Sequence, residues 1–294
     1  MANYRSMLFV PGDNEKMIQK GLALNADALI FDLEDAVMPE KRVEARALVL
    51  KTLLETQGEY NGPKRFVRVN PFESDAPLLD LAAIMPGAPD GIVQPKIKHV
   101  DCVNKMGNYL DVLEASAGLE IGSTKILAVA TETPEIMFNL GGLKDATDRL
   151  IAVNWGGEDL SAAILASTNR DQDGGWAFTY KLARSLCLLA ARAADIEPLD
   201  TVHTDFRDLD ALRAECVAAR KEGFSGKIAI HPIQVDIINE SFTPSDEDVA
   251  HARRVMEAFD AAGGAGAIQL DGQMLDMPHI KQARHVLSQA AALK

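Results

Sequence analysis

The chain has 294 residues, enough for two ordinary domains or for one α/β barrel of about 250 residues. Its hydrophobic fraction of 47% suits a large core, and no apolar run approaches the roughly 20 residues of a membrane helix. A formal net charge of −13 argues against a non-specific nucleic-acid binder, so an anionic ligand would need a local cationic pocket.

The opening Met1-Ala2-Asn3-Tyr4-Arg5-Ser6 runs almost at once into a first strand centred near Leu8. It lacks the basic leader and apolar h-region of a secretory signal, which makes the cytoplasm the expected location. The second run, Leu29-Ile30-Phe31-Asp32-Leu33-Glu34-Asp35-Ala36, places three carboxylates at the end of an apolar strand. Burying them without partners would cost several kcal/mol. Pro39-Glu40 then opens a helix toward Glu55. A third strand near Val67 ends in Arg68 and Asn70, a fourth near Val93 in Gln94-Pro95-Lys96, and a fifth near Leu127 in Glu132. The sixth, near Ala152, leads into Trp155-Gly156-Gly157-Glu158-Asp159; the seventh is read over Pro198–His203, centred at Thr201; the eighth, near Ala229, ends in His231. Pro244-Ser245-Asp246-Glu247 starts a helix that runs toward Ala261.

These eight apolar runs recur at an average of about 32 residues, close to one βαβ unit each, and near-continuous apolar runs suit parallel strands covered by helices. The pattern predicts a (β/α)8 TIM barrel over residues 1–262. The competing doubly wound sheet lacks a Gly-x-Gly-x-x-Gly after any strand, and the Gly-rich segment Ala262–Gly266 follows a helix, which reads as a hinge. A C-terminal lid and closing helix are expected over 263–294. Cys102, Cys187 and Cys216 are widely spaced and read as reduced structural thiols.

In such a barrel the C-terminal strand ends carry the chemistry, which converts the polar residues above into a site. Period-two alternation is expected to put Asp32 with Glu34, Arg68 with Asn70, and Ala128 and Ala130 with Glu132 on common faces, the alanines deeper in the barrel. Glu132 and Asp159 would lie about one strand gap of 5 Å apart and repel unless a cation stands between them. No His or Cys accompanies them, so an all-oxygen site would suit Mg²⁺, or Mn²⁺ in its place. The bland alternative is that one or both acids cap a helix. Arg68 cannot lose its charge and must be paired if buried; Asp32 or Glu34 could do this structurally and still leave donors for a substrate oxygen. His231 reads as a wall or support of the site, or else as a satisfied core histidine. His99, His251, His279 and His285 are expected to face solvent, and Gly226-Lys227 precedes a strand and is no P-loop.

Taken together, Arg5-Ser6-Met7-Leu8-Phe9-Val10-Pro11-Gly12, Asp32-Leu33-Glu34-Asp35-Ala36-Val37, Arg68-Val69-Asn70, Pro95-Lys96, Glu132-Thr133, Gly157-Glu158-Asp159-Leu160 and Ser225–Pro232 resemble the citrate lyase β-subunit-like lyases (malyl-CoA and citramalyl-CoA lyases and their thioesterase relatives) of the HpcH/HpaI aldolase superfamily. The resemblance spans nearly the whole chain. It implies a Mg²⁺-dependent enzyme that makes or breaks a carbon–carbon bond between an acyl-CoA thioester and a 2-oxo acid, with or without a following thioesterase step. By the same resemblance Glu132 and Asp159 are metal ligands, Arg68 binds substrate, and Arg5, Lys16 and Lys96 meet the CoA carrier. Asp32, Glu34, Asp35 and His231 then support these groups. Met274-Leu275-Asp276-Met277-Pro278 resembles the lid segment that reaches a neighbouring subunit and supplies an acid/base, Asp276, which implies a homotrimer or a dimer of trimers. A β-subunit acting on an acyl carrier protein is expected to be shorter and to lack this tail. That subunit and an aldolase acting on free 2-oxo acids are the alternatives. Gln94, where the family more often has an apolar residue, departs from the pattern.

Overall fold

The computed structural model describes residues 4–58, 60–263 and 266–292. Eight parallel strands close into a barrel in sequence order: β1 (Ser6–Pro11), β2 (Ala28–Asp32), β3 (Lys64–Arg68), β4 (Gly91–Gln94), β5 (Lys125–Val129), β6 (Leu150–Asn154), β7 (Glu197–Asp200) and β8 (Gly226–Ala229). Helices α1 (Glu15–Leu22), α2 (Arg42–Glu55), α3 (Ala76–Ile84) and α4 (Val100–Ala117) follow the first four strands in turn. The short α5 (Pro134–Met137) follows β5, α6 (Gly157–Ala163) and α7 (Phe178–Ala193) follow β6, and α8 (Leu209–Glu222) follows β7. After β8 come α9 (Gln234–Phe242) and α10 (Asp246–Ala261).

The start signals act through hydrogen bonds. Ser245 closes a capping box on α10, its hydroxyl accepting the Asp248 N–H while the Asp248 carboxylate accepts the Ser245 N–H. Pro39 opens a single 3₁₀ turn, Pro39–Lys41, that passes into α2. The seventh strand differs from its expected position, because its ladder with β8 ends at the pair Asp200 and Lys227. Thr201 and Val202 therefore lie beyond the strand, where they line the mouth of the barrel.

The face assignment on β5 is also corrected. Leu127 and Val129 pack inside the barrel with Met7, Ile30 and Phe66, whereas Ala128 and Ala130 belong to the layer between strands and helices. Beyond the last ladder pair a strand's alternation no longer holds, so Glu132 cannot be phased from the alanines before it. Small residues on the outer face let helices approach, while bulkier ones fill the barrel. Cys187 and Cys216 are buried, and burial pushes both thiols up to about 12, which keeps them protonated.

The tail forms an antiparallel hairpin, β9 (Ala267–Leu270) and β10 (Gln273–Asp276), followed by α11 (Met277–Ala292). Asp271 and Gly272 both have positive φ, as the tight two-residue turn requires. Leu275, Ile280 and Ala283 bury against Ala252, Val255 and Phe259 of α10. In the expected hinge Gly263 adopts φ 62°; Gly264 and Ala265 lie outside the described residues. No helix among the described residues is long and apolar enough to cross a membrane.

Candidate active site

The C-terminal strand ends open on a cavity of about 410 Å³ whose lining includes Phe9, Asp32, Arg68, Glu132, Asn154 and Asp159. Its geometry starts from strand register. Asp32 and Arg68 are ladder partners at the ends of β2 and β3, so the guanidinium lies opposite the carboxylate and donates twice to it, Nε at 2.7 Å and Nη2 at 2.6 Å. Asp32 also accepts the N–H groups of Glu34 and Ala36, both at 3.0 Å, which folds the next turn back over the strand end. Arg68 Nη1 faces Glu34 at 3.2 Å and Asp35 at 3.7 Å, and the guanidinium carbon lies 4.4 Å from the centre of the Phe9 ring. Burial opposes the arginine's charge, but Asp32 and Glu34 outweigh it and raise its pKa further. Glu34 shifts upward: burial dominates over the lowering effect of Arg68 and Lys96.

Lys96 follows β4 in a left-handed conformation, φ 52°. Its N–H donates to Glu132 Oε2 at 2.5 Å, and its ammonium reaches Glu34 at 2.5 Å, Asp35 at 3.2 Å and Asp159 at 3.5 Å. Glu132 is only 4% exposed. Burial first, and the nearby Asp159 charge second, push its carboxyl up to about 8. A side chain at Gly156 would press a Cβ to 2.9 Å from Glu132 Cγ, so glycine there makes room for the acid. Asp159, in the first turn of α6, is about one-third exposed.

Glu132 does not cap α5, whose N-cap position is Thr133; its carboxylate is turned to the Lys96 N–H instead. Among the described residues no group of three or more His, Cys, Asp or Glu side chains is arranged around one metal position. Two carboxylates completed by water and substrate are nonetheless what a hard divalent cation uses, and a buried glutamate destabilised by a second acid is a group that a cation would relieve. The donor set therefore fits Mg²⁺ and offers no soft ligand for zinc.

Asp32, Glu34, Asp35, Arg68, Lys96, Glu132 and Asp159 are thus brought together, while four other expected residues stand apart. Arg5 precedes β1 and lies at the opposite end of the barrel, bound to Asp27 at 2.7 Å and to Thr243; a residue before a parallel strand cannot reach the end after it. Lys96, expected to meet a carrier, turns inward onto acids. Lys16 is exposed in the first turn of α1, on the mouth side of the barrel. Asp276 ends β10, 2.7 Å from His279 Nδ1, and does not line its own chain's mouth. His231 is half-buried and stacks on Phe206 at 4.6 Å, leaving Ile230 as the wall residue.

Asn154, Thr201 and Phe9 also line the cavity and were not singled out from sequence as site residues. Asn154 is a polar residue ending an apolar run, the same signal that marks Arg68. A second feature was dismissed: Lys227, 1% exposed, lies between Asp200 and Glu215, at 3.3 Å from each. Asp200 also accepts the Trp155 indole N–H at 2.6 Å, tying β7 to the turn that carries Asp159.

Residues 5–232 match the HpcH/HpaI aldolase/citrate lyase family. The chain belongs to that family. This HpcH/HpaI protein is 36% identical over 288 residues to the citrate lyase β-subunit of Haemophilus influenzae, covering 97% of this chain and 96% of that one. It is 36% identical over 292 residues to the (3S)-malyl-CoA thioesterase of Cereibacter sphaeroides, covering 99% and 95%. The CitE protein of Mycobacterium tuberculosis, solved in complex with magnesium, acetoacetate and coenzyme A, superposes with a TM-score of 0.78 at 30% identity, covering 99% of both chains. The near-complete overlap with the H. influenzae β-subunit corrects one expectation: the tail does not separate this HpcH/HpaI chain by length from citrate lyase β-subunits.

Proposed function

We propose that this protein is a Mg²⁺-dependent carbon–carbon lyase that cleaves, or in reverse forms, a 3-hydroxy-dicarboxylic acyl-CoA thioester such as malyl-CoA or citramalyl-CoA. The products of cleavage are an acyl-CoA and a 2-oxo acid. The observation that carries this reading is the Glu132 and Asp159 pair beside the Asp32–Arg68 fork, at the mouth of a barrel whose relatives bind magnesium and coenzyme A or act on malyl-CoA.

Glu132 and Asp159 would hold Mg²⁺, or Mn²⁺ in its place, which when bound supplies Lewis acidity and a template for the carboxylate and adjacent oxygen of the 2-oxo acid portion. Arg68, aimed by Asp32, keeps Nη1 for the oxygen of the thioester enolate. Phe9, Val129 and Val202 form an apolar wall that limits water around that carbanion. Asp276 of a neighbouring subunit donates the proton that quenches the enolate in cleavage and removes the α-proton in condensation. On this reading residues 1–262 carry the chemistry, 263–294 act as lid, and the enzyme is a homotrimer or hexamer in the cytoplasm. Of the basic residues expected to meet the carrier, Lys16, exposed on the rim, is the one left for the CoA phosphates.

The match over the length of a citrate lyase β-subunit favours a second reading, a subunit that takes its substrate on an acyl carrier protein. Incubation with malyl-CoA, methylmalyl-CoA and citramalyl-CoA, with and without Mg²⁺, and identification of both products separates them. Release of an acyl-CoA and a 2-oxo acid that stops on chelation is expected. Turnover of carrier-bound thioester alone would establish the second reading, and release of free CoA with an intact acid skeleton would make the protein a thioesterase.

A further inference from the structure

Lys96 is bent into the left-handed region, φ 52°, a conformation that a residue with a Cβ adopts only when its surroundings hold it there. The bend lets one residue serve both acids of the pair, its N–H on Glu132 at 2.5 Å and its ammonium 3.5 Å from Asp159. Among the described residues this ammonium is the only cationic group within ion-pair distance of Asp159.

The charges at the mouth explain why. Asp32, Glu34, Asp35, Glu132 and Asp159 face Arg68 and Lys96, and Arg68 spends two of its nitrogens on Asp32, with Nη1 near Glu34 but not hydrogen-bonded to it. Glu34 at 2.5 Å, Asp35 at 3.2 Å and Asp159 at 3.5 Å share the Lys96 ammonium. Its side chain is 28% exposed on a flexible four-carbon stem, so it has room to withdraw toward solvent.

We infer that Lys96 is an internal counter-ion: it neutralises the Asp159 side of the acid pair in the metal-free protein and is displaced when a divalent cation binds. This rests on Glu132 and Asp159 being the ligands. Two positive groups cannot share the same carboxylates without repulsion, so each weakens the other's hold by the same factor. Lys96 therefore lowers the affinity for bare Mg²⁺ while reducing the uncompensated negative charge of the metal-free mouth. The role differs from carrier binding, which would turn the ammonium outward.

The test is calorimetric titration of metal-free protein with MgCl2 at pH 8, without substrate. Lys96→Met is expected to bind Mg²⁺ about tenfold more tightly than the parent, the scale of a modest coupling between sites, and Lys96→Arg, which keeps the charge, to stay near the parent. Metal-free Lys96→Met should also melt below the parent, with the gap closing at saturating Mg²⁺. Should Lys96→Met not fold without metal, Lys96→Gln carries the same expectation. Equal or weaker Mg²⁺ binding by the uncharged variants overturns the inference and leaves the lyase reading standing. Loss of CoA-ester affinity with Mg²⁺ affinity unchanged overturns it in favour of a carrier contact. If the parent itself binds no Mg²⁺, the ligand assignment falls and the inference with it.

Discussion

At Arg68 a strand register becomes a chemical tool. Because Asp32 stands opposite it in the ladder, the fork is fixed before any substrate arrives, and the outer nitrogen is left to face the cavity. A lysine would keep the charge but not the two parallel bonds or the outward donor. Arg68→Lys is therefore expected to lower kcat/KM for thioester cleavage by about 10²–10³-fold, the range seen on removing one preorganised donor, with its circular dichroism and melting temperature close to the parent's. Near-parental turnover would remove Arg68 from the chemistry. The residues of this cluster were legible because each is a polar group ending an apolar run, an arrangement too costly to be incidental. Phe9 was hidden for the opposite reason: an aromatic in a strand looks the same whether it fills the core or walls a mouth. Arg5 was misplaced although its position before the strand, not after it, already put it at the far end.

Among the elements, the β/α rhythm was readable because parallel strands are apolar on both faces and helices are not. Facing within a strand was less so: on β5, alanine and leucine are both apolar, and only packing decides that Leu127 points inward and Ala128 toward the helices. The hairpin in the tail was signalled by Asp271-Gly272 between short apolar runs, a turn dipeptide passed over in favour of the lid motif beside it. Two acids of α4, Asp111 and Glu114, anchor it to the start of β6 through Arg149. Glu114 is fully buried, accepts the N–H groups of Gly122 and Thr124, and pairs with Arg149 at 2.6 Å. Burial opposes its ionisation, yet Arg149 and those N–H groups outweigh it and bring the carboxyl down to about 2. The folded pKa thus lies below the unfolded value of about 4.3, so the unfolded chain binds more protons between the two and stability falls as pH drops through that window. Glu114→Gln is expected to cost about 1.5–3 kcal/mol at pH 7, the scale of a hydrogen bond to a charged group, because Arg149 loses its buried acid and keeps only the partly exposed Asp111. Melts from pH 7 down to pH 2.5 should show the gap between parent and variant narrowing below pH 4.5; a gap that stays constant would mean that Glu114 carries no proton-linked stability.

For the molecule as a whole the open question is where Asp276 works. The tail packs on α10 through Leu275, Ile280 and Ala283, and Asp276 at the end of its hairpin does not line the cavity holding Arg68, Glu132 and Asp159 of the same chain. If Asp276 is the acid/base, a closed ring of subunits in which each tail serves the next mouth gives every site one complete set of residues. Closure would then keep water from the enolate, with substrate binding and lid closure separable from proton transfer. Asp276→Ala is expected to keep Mg²⁺ and CoA-ester binding and to lose carbon–carbon chemistry, about 10²–10⁴-fold in kcat, the usual share of a general acid or base. Mixing makes the geometry testable. In oligomers reassembled from equal amounts of Asp276→Ala and Arg68→Lys subunits, random placement in a symmetric ring leaves about one site in four with Arg68 from one chain and Asp276 from its neighbour both intact. Activity per site should therefore recover to roughly a quarter of the parent's in the mixture while each variant alone stays inactive. If the subunits exchange, as shown by mass-tagged chains in native mass spectrometry, and the mixture stays as inactive as its components, the shared site is wrong and any action of Asp276 is confined to its own chain.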